Sequence, residues 1–395
     1  MKDALNNSGE RLMKNDIYIT ALHLEHGGVE MAISLMSNAF VKKGYNVTIL
    51  SLYNLGDPAY SISPEVKIEY LTDVKPNKKE FLEAVRQKNP LKILKQGLYS
   101  LKVLRLKKTA LIKRIKQIEN GIIISTRNEH SVLLSKYGNK NVLKIAQLHH
   151  DHCFDKRLLS NIKNRYANID YLTLLTDSLT QEIKELMKGK NEHTCCITME
   201  NFLDTEGFTV DFEKKEKIVI AVGRLHKVKG FDRLLKIWAK TVKMHPDWKL
   251  YLVGDGEEKQ SLTDIADESG IKESVVFTGA LSHDNVLAAM KRASVYAMTS
   301  HSEGFPFVLI EAMSCGLPVV AFDVRVGPKA IINDNRNGIL VADGDFDSFG
   351  KALCELMENP ELRLNYSKNA VERASDFTEE KIVEKWLSLF NKTAC

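Results

Sequence analysis

The sequence predicts an α/β protein with two domains, each organised around a parallel sheet. Its 395 residues exceed what one ordinary hydrophobic core organises, so two domains are expected. Short apolar runs alternate with helical segments of about 10–15 residues, the pattern of parallel βαβ units in a doubly wound sheet. Apolar residues make up 44% and charged residues 27% of the chain, a balance typical of folded proteins rather than disordered ones.

The N-terminal half begins with a strand, a glycine turn and a helix. Residues 17–22 form the first apolar run, Gly27 and Gly28 follow it, and apolar side chains then recur at three-to-four spacing through residues 29–43. We assign residues 1–204 to this domain. Its further strands are predicted at 47–50, 122–125, 143–148 and 171–175.

A polar stretch at residues 204–217 carries no strong apolar pattern and marks the domain boundary. Beyond it strands and helices alternate regularly, and we assign residues 205–380 to the second domain. Its strands are predicted at 218–222, 250–253, 275–277, 295–298, 319–322 and 339–341. Ligands of such sheets bind at the carboxyl ends of the strands, so candidate site residues are expected in the loops that follow them.

Two cations follow the first strand of the second domain. Gly223 and Arg224 come directly after that strand, and Lys229 lies shortly beyond them. Glycine lets the backbone approach a ligand closely. Two cations at a strand end can neutralise a diphosphate, and each charge-assisted hydrogen bond contributes about 1.5–3 kcal/mol. The alternative interpretation is a solvated basic loop before a helix.

A second candidate loop follows the fourth strand of this domain. Glu303, Gly304 and Phe305 precede Pro306, which suits a first helical turn. The free backbone N–H groups of Gly304 and Phe305 would then form an anion site. Glu311 lies about one and a half turns into the helix, and two carboxylates beside a phosphate site can accept hydrogen bonds from sugar and ribose hydroxyls. The alternative, an exposed helical glutamate, is disfavoured by its apolar neighbours.

Eight short motifs of the C-terminal half occur in a characteristic order. They occupy residues 223–225, 229–230, 253–256, 277–279, 303–306, 311–313, 315–321 and 337–341. The set resembles the C-terminal half of the family-4 retaining glycosyltransferases, and the resemblance covers residues 218–341. That family has the GT-B fold, in which two Rossmann-like domains have parallel sheets facing each other across a cleft. The resemblance also implies that the last segment, residues 381–395, crosses back to the first domain.

The resemblance implies a role for each candidate residue. Arg224 and Lys229 would hold the donor diphosphate, Glu311 would bind the ribose, and Glu303 would contact the donor sugar near the reacting carbon. The reaction implied is retaining transfer of a hexose or N-acetylhexosamine from a nucleotide sugar, with UDP as the nucleotide and without a bound metal or other cofactor. The same donor site would include Gly223, Gly304 and Phe305.

The implied acceptor is a glycan, a lipid-linked sugar or a cell-surface polymer. The pair Gly327-Pro328 is similar to a subgroup that builds bacterial surface polysaccharides. Three alternatives share the architecture: a non-catalytic partner subunit that binds glycan, a nucleotide-sugar epimerase and a glucan phosphorylase. Retention of all four charged residues of the donor site argues against the first. No lysine in a setting for pyridoxal phosphate is recognisable, which argues against the phosphorylase.

The N-terminal half matches the family more weakly. Gly27 and Gly28 resemble a glycine-rich loop near the donor phosphates, although alone they would indicate only a tight turn. His149 directly follows a predicted strand, where the family often has a histidine that touches the donor sugar, and His150 is the alternative. A metal site formed by residues 149–152 is disfavoured, because adjacent loop residues point in divergent directions.

Two further motifs favour structural interpretations. Asp343 and Asp345 flank a glycine before a predicted helix, which indicates a turn and an N-cap rather than a metal-binding Asp-x-Asp motif. Residues 254–256 lack the third glycine of a dinucleotide fingerprint, so a nicotinamide cofactor is disfavoured.

One segment concentrates the positive charge. Residues 75–118 contain fourteen Lys or Arg against two acidic residues, whereas the whole chain has a net charge of +5. Within it, leucines recur beside cations at three-to-four spacing, as an amphipathic helix that lies on an anionic membrane would require. The alternative is a domain helix whose apolar stripe packs inward. Nucleic acid is not an expected partner, because the segment lacks an aromatic platform. The leucines are Leu91, Leu94, Leu98, Leu101 and Leu104.

The cellular location follows from what the sequence lacks. Residues 1–14 have neither the apolar core nor the cleavage site of a signal peptide. No apolar run approaches the roughly 18 residues that span a bilayer. We therefore expect a soluble cytoplasmic protein, or one held peripherally at the inner face of the plasma membrane.

Overall fold

The computed structural model describes residues 15–204 and 209–391. The predicted absence of a signal peptide concerns residues 1–14, which lie outside the described residues, as do residues 392–395 of the last segment. Residues 205–208, beside the predicted domain boundary, also lie outside them. Among the described residues no helix is long and apolar enough to cross a membrane.

The chain divides into two compact units. The N-terminal unit comprises the residues up to Leu174, Thr180–Met199 and the chain from Val383 onward. The C-terminal unit comprises Leu175–Leu179 and Glu200–Ile382. The chain therefore returns to the N-terminal unit at its end, where Trp386 and Phe390 pack edge-on against Phe40 with ring centroids 5.9 and 5.3 Å away.

The N-terminal unit contains a seven-stranded parallel sheet in the order β3-β2-β1-β4-β5-β6-β7. Its first helix buries Ala32, Ile33, Met36 and Phe40, the apolar side of the predicted periodicity. Its elements are β1 Asp16–Ala21, α1 Gly28–Lys42, β2 Asn46–Tyr53, β3 Lys67–Thr72, α2 Lys78–Arg86, α3 Pro90–Gln117, β4 Ile122–Ser125, α4 Asn128–Tyr137, β5 Leu143–Leu148, α5 Lys156–Arg165, β6 Tyr171–Leu174, α6 Asp177–Met187 and β7 Cys195–Thr198.

The C-terminal unit contains a six-stranded parallel sheet in the order β10-β9-β8-β11-β12-β13. A short 3₁₀ helix, Lys227–Lys229, leads into its first α-helix. Its elements are β8 Ile218–Val222, α7 Phe231–Thr241, β9 Lys249–Val253, α8 Lys259–Glu268, β10 Val275–Gly279, α9 His283–Arg292, β11 Val295–Met298, α10 Phe307–Ser314, β12 Val319–Asp323, α11 Pro328–Ile331, β13 Gly338–Ala342, α12 Phe346–Glu358 and α13 Pro360–Ala374. The last helix, α14 Glu379–Asn391, begins in this unit and continues into the N-terminal unit.

Two parallel sheets with interleaved helices confirm the predicted fold class. Two strands of the first sheet, β3 and β7, were not anticipated. Both lie at sheet edges, where part of the strand stays in solvent and the apolar pattern is weak. In β3 every residue is exposed or half-buried, and β7 has only four residues, of which one is buried.

Both sheets have a point at which the strand order reverses. In the N-terminal unit the reversal lies between β1 and β4, and in the C-terminal unit between β8 and β11. The loops that leave two such strands run toward opposite sides and leave a crevice at the carboxyl edge. The predicted candidate residues follow three of these four strands.

The acidic pair after β13 has the structural role predicted for it. The side chain of Asp345 accepts a hydrogen bond from Ser348 N at 3.0 Å and caps α12. Asp343 contacts the guanidinium of Arg233 at 2.5 Å. The prediction of a turn and an N-cap is confirmed.

Candidate functional site

The carboxyl ends of β8 and β11 lie side by side in the C-terminal unit. Val295 pairs with Val219, and Tyr296 with Ile220. The loop after β8 carries Arg224 and Lys229, and the loop after β11 leads to α10. Residues distant in sequence are thereby brought to one edge of the sheet.

Gly230 joins the two loops by a close backbone contact. It has φ +62°, and a Cβ added to it would lie 2.2 Å from the carbonyl oxygen of Thr299. The Thr299 hydroxyl donates to the Gly230 carbonyl at 2.8 Å, and the backbone N–H of His301 donates to the Val228 carbonyl at 2.8 Å. Only glycine fits this left-handed position without strain, so the backbone itself holds the β8 loop against the β11 loop.

Lys229 and Glu303 meet across these loops. Nζ of Lys229 lies 2.7 Å from Oε1 of Glu303, and the two side chains are 27% and 9% exposed. The stem of Lys229 passes over Gly223, where an added Cβ would lie 3.6 Å from Cε of the lysine. The structure thus brings together the cation and the carboxylate that the sequence placed in separate motifs.

Arg224 lies at the start of the same β8 loop. Its side chain is exposed, and within the described ranges it forms no ion pair or hydrogen bond. Because an unpaired guanidinium keeps its donors available to a planar anion, Arg224 can bind a phosphate without first giving up another partner.

The segment 304–306 leads into α10, and its backbone N–H groups, rather than its side chains, are the candidate ligand contacts. Phe305 is 4% exposed, contacts the ring of Phe377 edge-on at 5.2 Å, and its carbonyl accepts from Nδ2 of Asn201 at 3.0 Å. Pro306 lies at the N-cap. Within the described part of the chain, the N–H groups of Gly304 and Phe305 make no hydrogen bond. These donors precede a helix N-terminus, which favours a negative charge.

Glu311 is a buried carboxylic acid on α10. It is 6% exposed, and burial raises its pKa to about 7. Nδ1 of His283 lies 3.7 Å from Oε1, too far for a hydrogen bond. Because desolvation penalises the charged form, this carboxyl group is set to gain from hydrogen-bond donors that a ligand would bring.

Tyr296 is a buried phenol on β11 that feels the charges of both carboxylates. It is 1% exposed, and its hydroxyl donates to the carbonyl of Val222 at 3.3 Å. Burial, and then the charges of Glu303 and Glu311, raise the pKa of the phenol. The phenol therefore stays neutral.

The N-terminal unit has its own polar cluster at the carboxyl ends of β1 and β4. A Cβ added to Gly27 would lie 2.1 Å from Oε2 of Glu30, whereas one added to Gly28 would meet no atom within 4 Å. Glu30 is 5% exposed, and its Oε1 lies 3.2 Å from Nη2 of Arg127. Gly27 thus accommodates the carboxylate, and Gly28 borders open space.

The two candidate histidines after β5 have different environments. Both ring nitrogens of His149 are buried without a hydrogen-bond partner among the described residues. Burial, then His150 and Arg127, lower the pKa of His149 to about 3. His150 is exposed. Nε2 of the following His152 lies 3.0 Å from Glu182, and no group of three or more His, Cys, Asp or Glu side chains in the described ranges is arranged to hold a metal ion.

Comparison with known proteins decides the class of the protein. Residues 204–373 match the family described as glycosyl transferases group 1. The amylovoran biosynthesis glycosyltransferase AmsD of Erwinia amylovora is 28% identical over 92% of this chain and 96% of its own length. An α-1,4-N-acetyl-D-galactosaminyltransferase of Campylobacter jejuni, named for an undecaprenol-diphosphate-linked substrate, is 28% identical over 96% of this chain and 98% of its own. This chain is a glycosyltransferase.

Solved structures agree on the fold of this glycosyltransferase. A mutant of TarM from S. aureus, crystallised with Fondaparinux, alpha-GlcNAc-glycerol and UDP, superimposes with a TM-score of 0.76 at 17% identity. The match covers 96% of this chain and 100% of that structure. With the two parallel sheets, the likeness confirms the predicted GT-B fold.

Two residues that contact the candidate site were not predicted from the sequence. Gly327 has φ +97°, and a Cβ added to it would lie 3.0 Å from the Gly304 carbonyl and 3.1 Å from Cβ of Glu303. In the sequence, the Gly327-Pro328 pair indicates only similarity to a subgroup of the family. Its close packing on the Glu303 loop is visible only in the structure.

The second is Arg233. It is 5% exposed, donates to the carbonyl of Thr299 at 3.3 Å, and its guanidinium lies 4.1 Å from the ring centroid of Phe322. No motif marked this arginine, because its partners come from three distant parts of the chain.

Proposed function

We propose that this glycosyltransferase transfers a hexose or N-acetylhexosamine from a UDP-sugar to a glycan, a lipid-linked sugar or a cell-surface polymer, with retention of configuration. The observation that carries the proposal is the ion pair of Lys229 with Glu303 at the β8/β11 switch point, with Glu311 on the helix that follows β11. The grouping combines a cation for the leaving group with two carboxylates for hydroxyl groups.

The diphosphate would bind between Arg224, Lys229 and the N-terminus of α10. As the bond between the sugar and the diphosphate breaks, negative charge grows on the leaving oxygen. Two cations and the free N–H groups of Gly304 and Phe305 would stabilise that charge electrostatically. Gly223 allows this approach because it presents no side chain. These positions support departure of the nucleoside diphosphate without a bound metal.

The two glutamates would bind the hydroxyl groups of the donor. Glu311, buried and with a raised pKa, would accept hydrogen bonds from the ribose. Glu303 would hold the donor sugar near its reacting carbon. The acceptor hydroxyl would attack that carbon on the face of the leaving group, and the departing phosphate would take the acceptor proton. No side chain needs to act as a nucleophile.

The N-terminal unit would supply polar contacts to the substrates. The buried, unpartnered ring of His149 supports a role as a neutral hydrogen-bonding group for a substrate hydroxyl. His149→Ala should therefore lower kcat/KM by more than tenfold, while His150→Ala, at an exposed position, should change it little. An equal effect of both substitutions would leave His149 without a special role.

Relatives support the choice of substrates. AmsD is named for amylovoran biosynthesis, the Campylobacter enzyme for an undecaprenol-linked saccharide, and TarM was crystallised with UDP. Polymer or lipid-linked acceptors and a UDP donor are therefore the first to test.

The experiment is a screen of UDP-, GDP- and ADP-sugars, with released nucleoside diphosphate as the readout. We expect slow hydrolysis of a UDP-sugar and faster turnover when a cell extract that contains the acceptor is added. With a donor whose anomeric bond is axial, the glycosidic bond of the product should also be axial, as retention of configuration requires. Glu303→Ala should abolish both activities, and Glu361→Ala, at an exposed position of the same unit, should not.

Three outcomes would contradict the proposal. Release of nucleotide at the native rate by Glu303→Ala would remove the site from the reaction. Conversion of the donor sugar without release of nucleotide would indicate an epimerase. Glycan binding without turnover of any nucleotide sugar would indicate a partner subunit.

A further inference from the structure

Helix α3 carries a row of leucines on its outer face. Leu91, Leu94, Leu98 and Leu101 are 79%, 61%, 60% and 64% exposed; we call these four the leucine stripe. At about 100° per residue they lie within roughly 80° of the helix circumference. The alternative considered from the sequence, a stripe packed inward, is therefore wrong for these four side chains.

A different set of positions holds α3 to the N-terminal unit. Val103, Leu111 and Ile115 are buried. The side chain of Asn77, at the start of α2, donates to Oε1 of Gln96 at 2.7 Å and accepts from the Ser100 hydroxyl at 2.8 Å. The helix thus has a separate inner surface, and the leucine stripe is not needed to anchor it.

The stripe is bordered by unpaired positive charge. Helix α3 contains nine Lys or Arg and no Asp or Glu. Lys95, Lys102, Arg105 and Lys108 are exposed, and within the described residues none of them forms an ion pair. By helical geometry, Lys95 and Lys102 flank the stripe on one side, and Arg105 and Lys108 continue it.

Helix α2 also exposes large apolar side chains. Leu82 and Val85 are 52% and 45% exposed although α2 lies against α3. Monomeric proteins rarely expose so many large apolar side chains together unless the patch binds something.

We propose that the face of α3 formed by the leucine stripe and its neighbouring cations binds the surface of an anionic lipid bilayer. Leucines would enter the boundary between headgroups and acyl chains, while the bordering cations contact the anionic headgroups. Since no described helix can span a bilayer, the helix lies on the membrane.

Charge distinguishes this partner from a second copy of the chain. A symmetric dimer through this face would place two sets of unpaired cations against each other, which is unfavourable. An anionic bilayer instead complements both the leucines and the cations. The inference does not depend on the proposed donor chemistry, because the surface lies outside the switch-point residues.

The test measures co-sedimentation of the full chain with vesicles. One set contains phosphatidylcholine alone, and the other contains about one third phosphatidylglycerol. We expect binding to the anionic vesicles only, weakened by high salt. Replacing Leu94, Leu98 and Leu101 by Ser should weaken binding at least tenfold, whereas Met244→Ser with Leu364→Ser, exposed apolar positions of the C-terminal unit, should not.

A second set of variants tests the cations. The triple variant Lys95→Glu, Lys102→Glu and Arg105→Glu should bind anionic vesicles more than a hundredfold less tightly, at about fivefold or more per charge removed. Glutamate at Lys188, Lys190 and Lys368, all exposed, makes the same change in net charge elsewhere and should reduce binding much less. Melting temperature and hydrolysis of the donor by each variant verify that the fold and the donor site are intact.

Several results would overturn the inference. One is the absence of binding to either kind of vesicle. Another is anionic binding that the leucine substitutions leave unchanged. A third is a dimer, seen by sedimentation velocity without lipid, that the leucine substitutions dissociate. That result would assign the leucine stripe to an interface between two copies of the chain. Vesicle binding by a wild-type protein that hydrolyses no nucleotide sugar would contradict the proposed function and leave this inference standing.

Discussion

Nζ of Lys229 lies 2.7 Å from Oε1 of Glu303, although 74 residues separate them in sequence. The carboxylate is nearly buried and the ammonium is about one quarter exposed. A diphosphate that enters the site would compete with Glu303 for the ammonium. The pair prevents a buried, unpaired carboxylate in the free protein. Under the proposed function, it would also hold the ammonium in position until the donor binds.

Removal of the lysine charge should weaken nucleotide binding. We expect Lys229→Met to reduce affinity for UDP by about 10- to 150-fold, the equivalent of one charge-assisted hydrogen bond of about 1.5–3 kcal/mol. Lys229→Arg should keep part of the affinity. Isothermal titration calorimetry measures both. Lys240→Met, at an exposed lysine paired with Asp347, is the control, and equal affinity of the Lys229 and Lys240 variants would contradict the assignment.

Nucleotide affinity should depend on the ionisation of Glu311. Burial raises its pKa to about 7, and ribose hydroxyls donate best to the ionised form. Binding should therefore strengthen as pH rises toward 7 and level off above it. The loss at pH 5.5 should reach at most about thirtyfold. The pH profile of affinity for the Glu311→Gln variant contains only the titration of the nucleotide and of other groups, so subtracting it isolates the effect of Glu311. If wild type and variant show the same pH dependence, the role of Glu311 is refuted.

The same carboxyl group should make the free enzyme less stable at high pH. Its folded pKa lies above the value of an unfolded glutamate, so stability falls as pH rises from about 4.5 through 7. Glu311→Gln should therefore raise the free energy of unfolding at pH 8 by about 1–3 kcal/mol and change it little at pH 5. Denaturant titrations at both pH values measure this difference. A variant no more stable at pH 8 than the wild type would show that the buried carboxyl costs nothing.

A side chain at position 327 should lower activity through its contacts with Gly304 and Glu303, in addition to the strain that the positive φ causes. In Gly327→Ala the new Cβ would press on the Gly304 carbonyl and on Glu303, and we expect kcat to fall by more than tenfold. Gly344→Ala is a matched control, because Gly344 also has a positive φ, +87°, but has nothing within 4 Å of an added Cβ. Both variants should lose about 1 kcal/mol of stability from backbone strain. Similar kcat values for the two would refute the contact as the cause.

Arg233 should act as a positioning residue for the β11 loop. Arg233→Met removes a buried guanidinium that bonds the Thr299 carbonyl and Asp343, and should cost about 1.5–3 kcal/mol of folding free energy. It should also lower kcat by displacing Glu303, with Arg233→Lys intermediate. Asp343→Asn, at a half-exposed partner, should cost less than about 1 kcal/mol. Loss of stability without any change in kcat would show a purely structural role.

The sequence determined the elements and the chemistry of each loop. Apolar alternation predicted eleven of the thirteen strands, because strands with buried faces must carry apolar side chains whatever their neighbours are. The sequence alone identified Gly223, Arg224 and Lys229 after one strand, and Glu303 and Glu311 in the loop and helix after another. The edge strands β3 and β7 escaped prediction because partial exposure weakens their pattern.

Only the tertiary structure decided which side chains meet and which face solvent. The 2.7 Å contact of Lys229 with Glu303 depends on β8 lying beside β11, and strand order depends on the packing of the whole unit. The pKa of Glu311 depends on a burial that neighbouring elements create. The leucine stripe has the same periodicity whether it faces the core or the solvent, so periodicity could not choose between them. The packing of Val103, Leu111 and Ile115 toward the unit made that choice.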